Sequence, residues 1–253
     1  MPLVLIFILL VIFSLNLNAS DLGKEKRWAD QVVDAIIDGD AVWLNDGNND
    51  FLGIYMEAEE NKGQSIIVMH GTGVHPNWSQ VVQPLRVGLV EHNWNTLSIQ
   101  MPVLANDAEH SDYAPLYDEV APRIDAAINY LKKSGSQNII LLAHSQGSTM
   151  TAYYLSKSKA DVKAFVAIGL SGLGKDPRMN AAKSLEKINL PILDLFAIDD
   201  LESILSTSKL RATAAKKAAN KNYSQKQIAG NHFYDGHDEN LLATIATWLE
   251  QFK

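Results

Sequence analysis

Ser145 is the residue of this chain whose neighbours best equip it to act as a nucleophile. It stands in the run Asn138-Ile-Ile-Leu-Leu-Ala143-His144-Ser145-Gln146-Gly147-Ser148, where an apolar strand ends and a stretch compatible with a helix begins. A nucleophile elbow is a strained strand-to-helix turn that exposes its serine hydroxyl and needs small residues two positions to either side. Ala143 and Gly147 hold those positions, although the methyl of Ala143 intrudes where glycine is usual. The first N–H groups of the following helix, together with its dipole, favour negative charge that develops beside the serine. The N–H of Gln146 would then be one donor to an oxyanion, a contact worth roughly 3–4 kcal/mol at comparable sites. The plainer alternative is a serine that only caps the helix.

The elements needed to hold such a turn are legible along the chain. Residues 65–69, 96–101, 138–143, 164–170 and 191–198 are short, continuous apolar runs, as expected of strands covered on both faces. A weaker strand is predicted at 224–229, and two early ones at 41–44 and 51–58, joined by the turn-rich residues 45–50. Helical spacing of apolar residues predicts helices over 25–38, 82–92, 120–133, 148–158, 180–187, 201–220 and 238–252. This alternation implies an α/β fold with a mostly parallel central sheet and helices on both faces. No composition break marks a second domain, so residues 21–253 are read as one.

Composition narrows the function. The formal net charge of −7 argues against a nucleic-acid partner, which demands a basic face. The chain has no cysteine, which excludes cysteine nucleophiles, thiolate metal sites and disulfides. Residues 3–13 form an almost unbroken apolar run, too short to span a bilayer that needs about 20 apolar residues. It fits the core of a secretory signal over residues 1–20, with Leu17 and Ala19 at the −3 and −1 positions of a cleavage site. The expected location is therefore periplasmic or secreted from a bacterium, with no stable membrane span once the signal is removed. An uncleaved membrane anchor is the competing reading.

With these features the chain resembles the α/β-hydrolase superfamily over roughly residues 50–253. Within it, the chain is similar to a secreted proteobacterial family of uncharacterised function. The narrower resemblance rests on His70-Gly71-Thr72-Gly73-Val74-His75-Pro76-Asn77-Trp78, Pro84-Leu85-Arg86, Trp94-Asn95-Thr96-Leu97-Ser98 and Ala143-His144-Ser145-Gln146-Gly147. The resemblance implies that the His-Gly pair after the third strand carries the other half of an oxyanion hole, at the N–H of Thr72 or failing that Gly73. It also implies that acid and then histidine follow the nucleophile in the chain. Only His232 and His237 lie beyond Ser145. His232, between the last strand and the final helix, matches the base; His237 looks like the start of that helix. Asp200 aligns with the acid and Asp199 falls one position early, free to cap the helix expected next. Asp194 lies inside a strand.

A Ser-His-Asp triad implies acyl transfer through an acyl-enzyme, with no cofactor and no metal. The cluster Asp235-Gly236-His237-Asp238-Glu239 invites a metal-site reading, but acids favoured at a helix start explain it as well. His75 is expected beside Trp78 or against substrate, and His144 as a packed neighbour of the elbow. About 20 residues separate the strand ending near Leu170 from Pro191, too few for a large cap domain. A lightly covered site favours esters, either small molecules or acyl groups displayed on a larger surface. A non-catalytic binding module on the same fold, or a serine peptidase, are the alternatives.

Overall fold

The computed structural model describes residues 20–60 and 62–253, so the expected signal segment lies outside the described residues except for Ser20. Among the described residues eight strands form one sheet: β1 (Asp40–Asn45), β2 (Asp50–Met56), β3 (Gln64–Met69), β4 (Asn95–Ile99), β5 (Asn138–His144), β6 (Ala164–Ile168), β7 (Ile192–Asp199) and β8 (Tyr223–Asn231). Their order is β1-β2-β4-β3-β5-β6-β7-β8. The β1–β2 and β2–β4 pairings are antiparallel. From β4 to β8 every pairing is parallel. The helices are α1 (Leu22–Val33), α2 (Val82–Gly88), α3 (Tyr117–Lys133), α4 (Gln146–Lys157), α5 (Ala181–Leu185), α6 (Glu202–Leu205), α7 (Ser208–Lys217) and α8 (Asp238–Leu249).

The continuous apolar runs follow from coverage of both faces. In β3, Ile67 and Met69 join one core with Ile124 and Ala127 of α3 and Met150 of α4. Ile66 and Val68 join a second core with Leu85 of α2 and Ile245 of α8. Neither face of β3 reaches water, so neither tolerates a polar alternation. The N-terminal helix covers the antiparallel end, where Ala29 and Val32 pack on Leu52 and Ile54 of β2. The parallel strands end together, with Met69 level with Ala143 and His144 level with Ile168. Ligands of open α/β sheets bind beyond such carboxyl ends. Among the described residues no large cap covers that edge: between β6 and β7 there is only a loop, a short 3-10 turn at Pro177–Met179 and α5.

Most predicted helices shift by a few residues at their ends, and two differ more substantially. The stretch 25–38 is shorter at its end and begins earlier, as α1, because Asp21 caps it through an oxygen that accepts the Lys24 N–H at 2.8 Å. Its apolar period runs on through Ile36 and Ile37 after the helix has stopped, and Ile37 is fully out in solvent. The stretch 201–220 is broken into α6 and α7 at Ser206-Thr207. The buried guanidinium of Arg211 donates to the Ile204 carbonyl and to Thr207 Oγ1, taking up groups that the break leaves open. Arg211 is itself neutralised by Asp194 of β7, 2.7 Å away. Asp194 therefore has a structural partner in the core.

Candidate active site

Ser145 sits between β5 and α4 with φ 56° and ψ −126°, a conformation that side chains rarely adopt. Packing holds it there. Its N–H donates to the Ile168 carbonyl at 2.8 Å, and its own carbonyl accepts from Ser148. A Cβ on Gly147 would fall 2.3 Å from the His70 carbonyl oxygen, and one on Gly71 would fall 2.9 Å from Ser145 Cβ. The two glycines thus let the loop after β3 lie directly against the elbow. Ala143 causes no conflict, since its methyl is buried in the core shared with α3 and α4.

His232 follows β8 and reaches Ser145 from the next strands along the edge. The β7–β8 register shifts between Ala197 and Asp199, leaving one extra residue on β8 just before the histidine. Such an irregularity re-aims the chain that follows it. The Ser145 hydroxyl donates to His232 Nε2 at 2.9 Å, and His232 Nδ1–H donates to Asp200 Oδ1 at 2.6 Å. Asp200 also accepts the N–H groups of Ala197 and Leu201, at 3.0 and 2.8 Å. Burial pushes its carboxyl up, but the bonds from His232 and these amides outweigh it and hold the group below the usual carboxylate range. A carboxylate kept ionised behind the ring fixes the proton on Nδ1, which leaves Nε2 free to accept from the serine.

Asp199 is exposed at the end of β7, level with Asn231. It does not cap the following helix as expected; α6 has Leu201 at that position and no side-chain cap. His237 precedes α8 as its N-cap residue, and Asp235 bonds Gln80 and Asn231. His75 packs edge-on against Trp78, with ring centroids 5.5 Å apart, and against Trp28 of α1 on its other side. His144 Nε2–H donates to the His232 carbonyl at 2.9 Å, and its ring lies 4.8 Å from the ring of His232. Burial pushes its pKa down to about 4, so this neighbour is neutral at pH 7.

The loop after β3 carries Thr72 to the same point. His70 Nδ1–H donates to the Gly71 carbonyl at 2.8 Å. Across the trans peptide the Thr72 N–H is directed opposite to that carbonyl. His70 Nε2 accepts from the Met101 N–H and the Gln100 amide, and full burial pushes its pKa down to about 3. Gln146 is the first residue of α4, so its N–H is among the donors that the helix leaves open. The side chains of these two residues also meet, Thr72 Oγ1–H donating to Gln146 Oε1 at 2.5 Å.

Several residues that hold this loop were not assigned a role from sequence. Buried Arg86 donates to Asn77 Oδ1, its neighbour Thr96 bonds the Arg86 carbonyl, and Ser98 Oγ bonds the Pro76 carbonyl, each at 2.8 Å. The segments around Pro84-Leu85-Arg86 and Trp94-Ser98 thus fasten residues 76–77 to β4. Their place among the motifs that carry the resemblance was the available signal; the contacts themselves cross 9 to 22 residues of chain. Beside Ser145 lies a cavity of about 250 Å³ walled by Val74, Trp78, Val82, Leu201 and Phe233. A larger one, about 560 Å³, lies between α1 and the β1–β2 hairpin and touches none of these groups.

A mostly parallel eight-stranded sheet, a strained serine turn after its central strand and no large cap define an α/β-hydrolase fold. The profile of a family described as "Protein of unknown function (DUF3530)" matches residues 23–121 and 106–251, and the chain belongs to that family. No curated protein matches the chain. Solved structures similar to it include Est1E from Butyrivibrio proteoclasticus, at 17% identity over 83% of this chain and 98% of that one, with a TM-score of 0.63. An esterase of Pyrococcus furiosus, Pf2001, matches at 15% identity over 83% and 91%, with a TM-score of 0.66. An alpha-beta serine hydrolase homologue from Coxiella burnetii matches at 12% over 85% and 99%, with a TM-score of 0.65. At such identities the likeness concerns the fold.

Proposed function

We propose that the protein is a serine hydrolase that cleaves carboxylic esters through an acyl-enzyme. The observation that carries this reading is the unbroken relay from Ser145 Oγ through His232 to a buried, ionised Asp200, set on a strained turn. Ser145 Oγ attacks the carbonyl carbon of the ester while its proton passes to His232 Nε2. The carbonyl oxygen gains negative charge and is met by the N–H groups of Gln146 and Thr72. When the intermediate collapses, the ester C–O bond breaks and the leaving alkoxide takes the proton from His232. Water then repeats the sequence on the acyl-serine, releasing the acid. Asp200 holds the imidazole in the required tautomer and stabilises the imidazolium.

The substrate class rests on the surroundings of Ser145. Its cavity is apolar, modest in size and uncapped, which suits a compact acyl group on a small molecule or displayed on a larger one. Pf2001, one of the structurally similar proteins, is an esterase, which supports this reading. We further infer that residues 21–253 work as one domain behind a secretory signal, in the periplasm or outside a bacterial cell. A fluorophosphonate probe tests the chemistry, because it reacts only with an activated serine. Wild type should be labelled and turn over short-chain p-nitrophenyl esters, and Ser145→Ala and His232→Ala should do neither. Absent labelling of wild type would leave a binding module, and turnover of peptides in preference to esters would make it a peptidase.

A further inference from the structure

We propose that the cavity of about 560 Å³ between α1 and the β1–β2 hairpin binds an uncharged saccharide, with Trp43 stacking on a sugar ring and Gln100 receiving a hydroxyl. This inference does not rest on the hydrolase reading. The volume falls within the range of about 300–1,000 Å³ typical of small-molecule sites, whereas the cavity beside Ser145 falls below it. Alternation along β1 turns Val42 and Leu44 toward the core shared with α3, and Trp43 toward α1. Trp43 stands opposite Leu52 of β2, which packs on Ala29 of α1. Because β1 is the outermost strand, the indole is left 56% exposed at the cavity wall.

The same wall carries polar groups with bonding capacity to spare. Gln100, just past β4, is only 2% exposed. His70 Nδ1–H is spent on the Gly71 carbonyl, so Nε2 accepts, and the Gln100 amide nitrogen turns toward it and toward the Met101 carbonyl. The Gln100 oxygen accepts from no described residue, which leaves a buried acceptor for a ligand. Asp46 takes the backbone N–H groups of Asn48 and Asn49 at 2.9 and 2.8 Å, fixing the turn while their side-chain amides stay uncommitted among the described residues. Charge narrows the ligand class. Glu25 is matched by Arg123 at 2.8 Å and Lys26 by Asp30 at 3.2 Å. Asp50 has no cation among the described residues; one oxygen accepts the Asn45 amide at 2.7 Å and the other is open to a hydroxyl. That carboxylate disfavours an anion, and an apolar ligand would strand the amides without water. A sugar ring presents an apolar C–H face and a rim of hydroxyls that donate and accept. The indole face complements the first, and the free amides, the Asp50 carboxylate and the Gln100 oxygen complement the second.

Isothermal titration and protein NMR with maltose, cellobiose, lactose and N,N′-diacetylchitobiose test the site directly. At up to about 10 mM, enough to fill a site with a dissociation constant of about 1 mM, at least one of the four should bind and shift the Trp43 indole and Gln100 amide signals. Trp43→Ala should weaken that binding about tenfold, and Trp43→Tyr much less, since a phenol ring still offers a stacking face. Asn49→Ala should weaken it about fivefold through a lost hydrogen bond. Exposed Trp43 and Asn49 contribute little to the core, so the variants should unfold at close to the wild-type temperature. Ser145→Ala should bind the sugar as wild type does, which keeps this proposal separate from the hydrolase reading. Absence of binding by all four sugars, shifts centred on Trp78 beside Ser145, undiminished binding by Trp43→Ala, or binding of tetramethylammonium in place of the sugars would each overturn the proposal.

Discussion

Two buried histidines beside Ser145 should make stability depend steeply on pH. His70 and His144 are wholly enclosed, and burial pushes their pKa values down to about 3 and about 4. In an unfolded chain each titrates near 6.5. Below that pH the unfolded chain binds protons that the folded one refuses, so acid favours unfolding until pH reaches the folded pKa. The stabilisation is complete above about pH 7 and lost progressively below 6.5. At pH 5 each histidine accounts for a loss of about 2 kcal/mol, and both for about 4, against a typical total of 5–15. Urea unfolding at pH 7.5 and pH 5 measures this directly. In His144→Gln an amide N–H can still reach the His232 carbonyl, which the ring meets at 2.9 Å, but one titrating group is gone. That variant should lose about 2 kcal/mol less than wild type over the same interval. Stability that is flat from pH 7.5 to 5, or an unchanged slope in the variant, would refute the argument that these rings stay neutral.

Asp200→Asn should lower ester turnover by about 10⁴, the loss seen when the wrong histidine tautomer is held, whereas exposed Asp199→Asn should change it less than about threefold. Steady-state kinetics with both proteins separates the two aspartates, and similar small losses would place the acid elsewhere. Thr72→Val removes the hydroxyl that meets Gln146 while keeping volume and the backbone N–H. It should reduce kcat about tenfold with KM little changed, and Thr72→Ser should restore most of it; a loss confined to KM would assign this bridge to substrate binding instead.

Much of the architecture was legible because local physics dictates it. Double burial of β3, β5, β6 and β7 forces continuous apolar runs, and those runs reveal the parallel sheet in the linear sequence. The elbow was legible for the same reason: a strand, a serine flanked by Ala143 and Gly147, and a helix are contiguous in the chain. Helix ends were less legible, since apolar period continues past α1 and across the break before α7, where capping by Asp21 and bonding by Arg211 decide the outcome.

What sequence alone determined is the set of candidates and the elements that carry them: Ser145 after a buried strand, His232 before the last helix, two aspartates after β7, and Thr72 in a glycine-bearing loop. Tertiary structure decided which of them meet. Asp199 and Asp200 are chemically identical neighbours, and only the end of β7 and the register shift against β8 turn one carboxylate toward the ring and the other toward water. The anchoring of Asn77 by Arg86 and the neutrality of His70 are likewise invisible in the linear order. Each depends on distances of a few ångströms between segments far apart in sequence, and burial, rather than residue type, sets the charge that each group can carry.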